Sequence, residues 1–145
     1  MIIFLDFDGV LHPTNATSDN FFCCRDHFES ILFLYPDIDI VISSSWRELM
    51  PLHILKEFFS ESIRNRIIGV TPMLDNEITS HRHFEEIRLW IKQNRYEGDW
   101  LAIDDALEEF PEECLPLIVC NERRGFDAAV AAQLVKAVMK EGREV

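Results

Sequence analysis

Two pairs of carboxylates, far apart in the chain, are the residues best suited to do chemistry. Asp6 and Asp8 are separated by one residue in Met1-Ile-Ile-Phe-Leu-Asp6-Phe-Asp8-Gly9-Val-Leu-His12-Pro13, and Asp104 and Asp105 are adjacent after Trp100-Leu-Ala-Ile. Carboxylates held close together repel, so one takes up a proton or a cation sits among them. Without paired Cys or His at ligand spacing, such hard oxygen donors favour Mg²⁺. A carboxylate beside Mg²⁺ can also act as a nucleophile and form an aspartyl-phosphate. Either pair alone would pass for a surface turn, in which Asp and Gly are ordinary. Here both pairs close a run of apolar residues.

Those runs are the elements that must position the acids. Met1 to Leu5 is uninterrupted and apolar, as expected of a strand buried on both faces. Side chains two apart in a strand share a face, so Asp6 and Asp8 are expected to look one way while Phe7 enters the core. Further strands are expected at Ile38 to Ile42, Arg66 to Val70, Trp100 to Ile103 and Leu117 to Cys120. Helical patterns separate them: Asp26 to Leu34, Trp46 to Phe59 (opened afresh or kinked at Pro51), a helix capped by Ser80, and one starting at Asp127. Strands alternating with helices require a parallel sheet with right-handed crossovers. The fold class is therefore α/β, a three-layer Rossmann-like arrangement of about five parallel strands. Ligands of such sheets bind at the carboxyl ends of the strands, where the acids stand.

Other polar residues join them. Ser43-Ser44-Ser45-Trp46-Arg47 closes the second strand, and hydroxyls with free N–H groups there suit a phosphate. One serine can instead cap the next helix; Ser43 and Ser44 are both candidates, with Ser44 preferred. Arg82 lies in the first turn of a helix, where the dipole disfavours a cation, so an anion is expected near it. Arg47 and Arg88 are rivals. His81 and His83 read as solvated surface. The loop Gly9 to Arg25 must fold over the first strand's end, and its His12 either touches phosphate or is a solvated or turn-capping residue.

Composition sets the bounds. With 145 residues, 48% of them hydrophobic, one domain spanning residues 1–145 is expected. No basic segment precedes the first apolar run and no run is long enough to span a bilayer, so a soluble, cytoplasmic protein without membrane partners is expected. The net charge of −12 disfavours nonspecific binding to nucleic acid, although local arginines can still meet a nucleic-acid end. Cys23, Cys24, Cys114 and Cys120 form no CxxC pair and read as reduced, partly buried thiols.

Asp6-Phe-Asp8-Gly9-Val-Leu resembles the first motif of the haloacid dehalogenase (HAD)-like hydrolase superfamily. The serines closing the second strand resemble its second motif, Arg82 its third and Asp104-Asp105 its fourth, in the superfamily's order. The gaps that hold a cap domain elsewhere in the superfamily are short here, which resembles a capless member. Leu-His-Pro with Ser-Ser-Ser-Trp-Arg is similar to small HAD domains associated with RNA repair. The resemblance implies a central first strand flanked by the second and fourth. It also implies a Mg²⁺-dependent phosphatase in which Asp6 is the nucleophile and Asp8 the acid/base. Ser44 or Ser43 and Arg82 would then stabilise phosphoryl oxygens. The cation would be held by Asp6, the Asp8 backbone carbonyl, and Asp104 or Asp105. An open, capless site implies a phosphorylated substrate that is itself large, a protein side chain or a nucleic-acid end. The alternatives are a noncatalytic phosphate- or partner-binding module and a receiver-like signalling domain; the order of the acids speaks against the latter.

Overall fold

The computed structural model describes residues 1–75, 80–112 and 116–143. Cys114 and part of the expected loop Thr71 to Ser80 lie outside them. Among the described residues, β1 (Ile2–Leu5), β2 (Asp39–Ile42), β3 (Ile67–Val70), β4 (Trp100–Asp104) and β5 (Leu117–Val119) form one parallel sheet in the order β3-β2-β1-β4-β5. β1 is central, between β2 and β4, with Leu5 opposite Ile42 on one side and Ile103 on the other.

Alternation along the strands divides the core in two. Ile3, Leu5, Ile40, Ile42, Leu101 and Ile103 face one layer, built from α1 (Arg25–Leu34), α2 (Leu52–Leu55), α3 (Glu61–Arg64) and α5 (Ala128–Arg143). Ile2, Phe4, Val41 and Ala102 face the other, where α4 (Arg82–Gln93) contributes Ile87 and Trp90. Phe4 is fully buried, with Trp90 and Trp100 edge-on at 5.6 and 5.7 Å between ring centroids. Burying an aromatic of that size contributes about 1.5–3 kcal/mol, enough to lock β1 between its layers. Phe7 is buried as expected.

Several local expectations are corrected. Ser80 does not cap α4, which starts at Arg82 after His81 and has its first N–H accepted by Glu109 Oε2 at 3.1 Å. The expected helix Trp46 to Phe59 is a 3₁₀ turn (Ser45–Glu48), the single turn α2 after Pro51, and a second 3₁₀ turn. The short α3 after Ser60 lies outside the expected helical patterns. α5 is entered as expected, Asp127 Oδ1 accepting from the Val130 N–H at 3.0 Å. Cys23 is exposed rather than partly buried, whereas Cys120 is buried. No segment among the described residues forms a separate cap.

Candidate active site

The sheet ladder continues past the ends of the strands and sets a row of side chains. Ser43 N–H donates to the Leu5 carbonyl at 2.9 Å, and Asp6 N–H to the Ile103 carbonyl at 3.1 Å. Ser43, Asp6 and Asp104 are thereby neighbours on the face that carries Phe4, Val41 and Ala102. That face is the one covered by α4.

Asp6, Asp104 and Asp105 converge there, each offering an oxygen within 4.8 Å of the others'. Asp6 and Asp104 are only 7% and 2% exposed. Burial first, and then the charges of Asp104 and Asp105, hold the Asp6 carboxyl well above the usual carboxylate range. Asp105 is raised as well, chiefly by burial, with the Asp104 charge adding to it. Asp105 can approach because Gly9, at φ +78°, has no Cβ; one there would overlap the Asp105 carboxylate. All the donors are hard carboxylate oxygens, the ligand chemistry that Mg²⁺ takes.

The fourth carboxylate is not part of this convergence. β1 ends at Leu5, and the chain turns at once: Gly9 N–H donates to the His12 carbonyl at 2.8 Å and Val10 N–H to the Phe7 carbonyl at 3.0 Å. The period of two therefore no longer applies at Asp8. Its carboxylate meets His12 Nε2 at 2.7 Å and the Trp46 indole N–H at 3.1 Å. His12 is only 1% exposed with both ring nitrogens engaged, so it is neither a solvated residue nor a phosphate ligand.

The serines separate by parity. Ser44 Oγ accepts from the Trp46 N–H at 3.2 Å and caps the 3₁₀ turn, while Ser43 stands on Asp6's face. Of the rival arginines, Arg47 is a buried clamp. It donates to the carbonyls of Ser44 at 2.8 Å and Thr71 at 2.9 Å, and pairs with Glu86 at 2.8 Å. It thus satisfies strand-end carbonyls that have no ladder partner. Arg88 lies over the Phe84 ring. Arg82 pairs with Glu48 at 3.0 Å and Glu86 at 3.3 Å, so the anions it meets are the protein's own.

His83, not Arg82, reaches the acids: its Nδ1 lies 2.9 Å from Asp104 Oδ2. The reading of His83 as solvated surface is corrected. Burial opposes its charge, but the hydrogen bond and charge of Asp104, with Glu109 and Glu86, outweigh that and raise its pKa. The available signal was helical phase, since residue 83 is one turn before Ile87 on the stripe facing the sheet. Asp104 Oδ1 accepts from the Ala106 N–H at 2.9 Å, so both its oxygens are oriented. Thr14, also unforeseen, places Oγ1 3.5 Å from Asp105 Oδ2 and donates to the Glu122 carbonyl at 3.0 Å. This ties the exposed loop carrying Arg123 and Arg124 to the edge of the acids.

No helix among the described residues is long and apolar enough to cross a membrane. No curated protein and no solved structure matches the chain. The family model described as "HAD domain in Swiss Army Knife RNA repair proteins" matches residues 2–131. A HAD-like sheet with acids at the ends of β1 and β4, matched over nearly its whole length, places this chain in that family of HAD domains.

Proposed function

We propose that the chain is a Mg²⁺-dependent phosphomonoesterase working through an aspartyl-phosphate on Asp6. The observation that carries this reading is the convergence of Asp6, Asp104 and Asp105 while Asp8 is held apart from them. A cation bound by the three carboxylates, with the Asp8 backbone carbonyl as a further ligand, would keep them ionised and offset charge on the transferring group. The chain's own residues do the rest. Asp6 attacks phosphorus as the bond to the leaving oxygen breaks, and Asp8 gives that oxygen its proton. Asp8 then takes a proton from the water that attacks the phosphoryl-enzyme, releasing phosphate and restoring Asp6. The Ser43 hydroxyl, on Asp6's face, hydrogen-bonds a phosphoryl oxygen. His83, its Nδ1 2.9 Å from Asp104 Oδ2, is the basic side chain that meets the acids, Arg82 being shared between Glu48 and Glu86.

His83 also orients Asp104, and hydrogen bonds of that kind commonly govern metal affinity 10–100-fold. His83→Ala is expected to raise the Mg²⁺ concentration for half-maximal activity by about that factor. His83→Asn, whose amide nitrogen takes the place of Nδ1, should recover part of it. Unchanged Mg²⁺ dependence in His83→Ala would rule out the role.

The substrate is proposed to be the phosphorylated end of a large molecule, foremost an RNA. The Asp8 side chain is 43% exposed, an opening suited to a chain end rather than to an enclosed metabolite. The family's description, and Arg123 and Arg124 on the adjoining loop, favour a nucleic acid. The test compares kcat/KM for RNA oligonucleotides phosphorylated at either end with that for sugar phosphates, at one Mg²⁺ concentration. RNA ends are expected to lead by about tenfold or more, on the order of one or two extra contacts in the transition state. A sugar phosphate turned over more efficiently would overturn the assignment.

A further inference from the structure

Asp8 is held by a chain of donors that starts in the backbone of a neighbouring loop. Phe22 N–H can only donate, and it lies 3.2 Å from His12 Nδ1. His12 Nδ1 therefore accepts, the ring hydrogen sits on Nε2, and Nε2 donates to Asp8 Oδ1 at 2.7 Å. The Trp46 indole, which can only donate, straddles Asp8 Oδ1 and Oδ2 at 3.1 Å each. Oδ1 thus accepts from two donors and Oδ2 only shares one, which leaves Oδ2 as the oxygen with a free site.

The Phe22 backbone is left-handed at φ +62°, a conformation that bulky residues seldom adopt and that collects at functional sites. Packing holds it there: the Phe22 ring stacks on Phe58 at 4.6 Å and meets Trp46 and Phe7 edge-on at 5.3 and 5.4 Å. His12 and Trp46 are themselves 5.6 Å apart between ring centroids. The same aromatic box therefore fixes His12, the Trp46 indole and the strained N–H that sets the tautomer.

We infer that His12 and Trp46 are positioning residues that aim Asp8 Oδ2 at the leaving oxygen and keep this carboxylate out of the cation group. The inference rests on the reading of Asp8 as the acid/base. In it, the proton moves between Asp8 Oδ2 and the leaving or attacking oxygen, while the His12 and Trp46 N–H groups retain theirs.

A lost aim should hurt most when the leaving oxygen needs a proton, and that gives the test. Trp46→Phe keeps a ring in the box and deletes one donor. Its first turnover, in which Asp6 is phosphorylated and the leaving group departs, is timed with 4-nitrophenyl phosphate, whose leaving oxygen departs without help, and with ethyl phosphate, whose leaving oxygen does not; the later hydrolysis uses Asp8 as base for both esters alike. The first-turnover rate with ethyl phosphate is expected to fall about 10–100-fold, a part of the 10²–10⁴ that a positioned acid supplies. With 4-nitrophenyl phosphate, the first-turnover rate should change less than about threefold. Adding Trp46→Phe to Asp8→Asn should cost nothing further on ethyl phosphate, because both act through one group. His12→Gln, with a single donor near the place of Nε2, should lie between wild type and Trp46→Phe, and serves if the Trp46 variant does not fold. If Asp8→Asn discriminates between the two esters while Trp46→Phe slows both equally, the positioning role is overturned and the role of Asp8 stands. If Asp8→Asn itself slows both equally, the acid/base reading fails and takes the inference with it.

Discussion

Asp6→Asn is expected to abolish phosphate release, by on the order of 10⁵-fold or more, and to leave no acid-stable or hydroxylamine-sensitive phosphate on the protein. An amide cannot form the acyl-phosphate, and Asp6 is the carboxylate at the end of the central strand, between Ser43 just past β2 and Asp104 on β4. The same change should stabilise the metal-free fold. The Asp6 carboxyl is raised by burial and by the charges of Asp104 and Asp105, so the folded protein binds that proton more tightly than the unfolded chain does. Stability from this group is complete below the ordinary carboxylate range and is lost as pH rises through the folded pKa. Without metal, therefore, the Asp6 carboxyl costs stability above the ordinary carboxylate range, and a neutral amide in its place would relieve that cost. Thermal melts in chelator should place Asp6→Asn above wild type, with the gap closing as the solution is acidified. Turnover by Asp6→Asn near that of wild type would remove the nucleophile from the mechanism.

Removing divalent cations is expected to have the second largest effect. Chelator should reduce phosphatase activity to background, and Mg²⁺ should restore it. Binding to the folded state alone stabilises by about 2.7 kcal/mol when Mg²⁺ is at 100 times its Kd. In a chain of this size that is a rise in Tm of about 5–10 °C. Protons compete for the same oxygens, and the raised Asp6 and Asp105 carboxyls widen that competition upwards in pH. The Mg²⁺-induced rise should therefore shrink as pH falls, and should be absent in Asp104→Asn combined with Asp105→Asn. Full activity in metal-free buffer, or an equal rise in that double variant, would exclude the acids as the cation's ligands.

These outcomes depend on features of different origin. The sequence was sufficient for the sheet and for its chemical edge. Apolar runs of strand length closed by acids or hydroxyls point to it, because a strand buried on both faces accepts five apolar residues in succession and ligands of a parallel sheet meet the carboxyl ends of its strands. Asp6 with Phe7 inward follows from that local regularity, and the meeting of Asp6 with Asp104 and Asp105 from the central first strand that the family resemblance implies.

Tertiary structure decided everything that lies where the regularity stops. Asp8 leaves the company of Asp6 because the chain turns immediately after β1, which places its carboxylate against His12 and Trp46. Ser43 rather than Ser44 shares Asp6's face because the ladder runs one residue beyond β2, and Ser44 is taken by the turn that follows. In one dimension Arg82, Arg47 and Arg88 are the rival cations and His83 reads as solvated surface. The packing of α4 on the sheet settles them, since Glu86 draws Arg47 and Arg82 and leaves His83 facing Asp104. Local periodicity is written in neighbouring residues and can be read from them. The partner of a charged side chain is chosen by whichever element packs against it, and that choice exists only once the layers have closed.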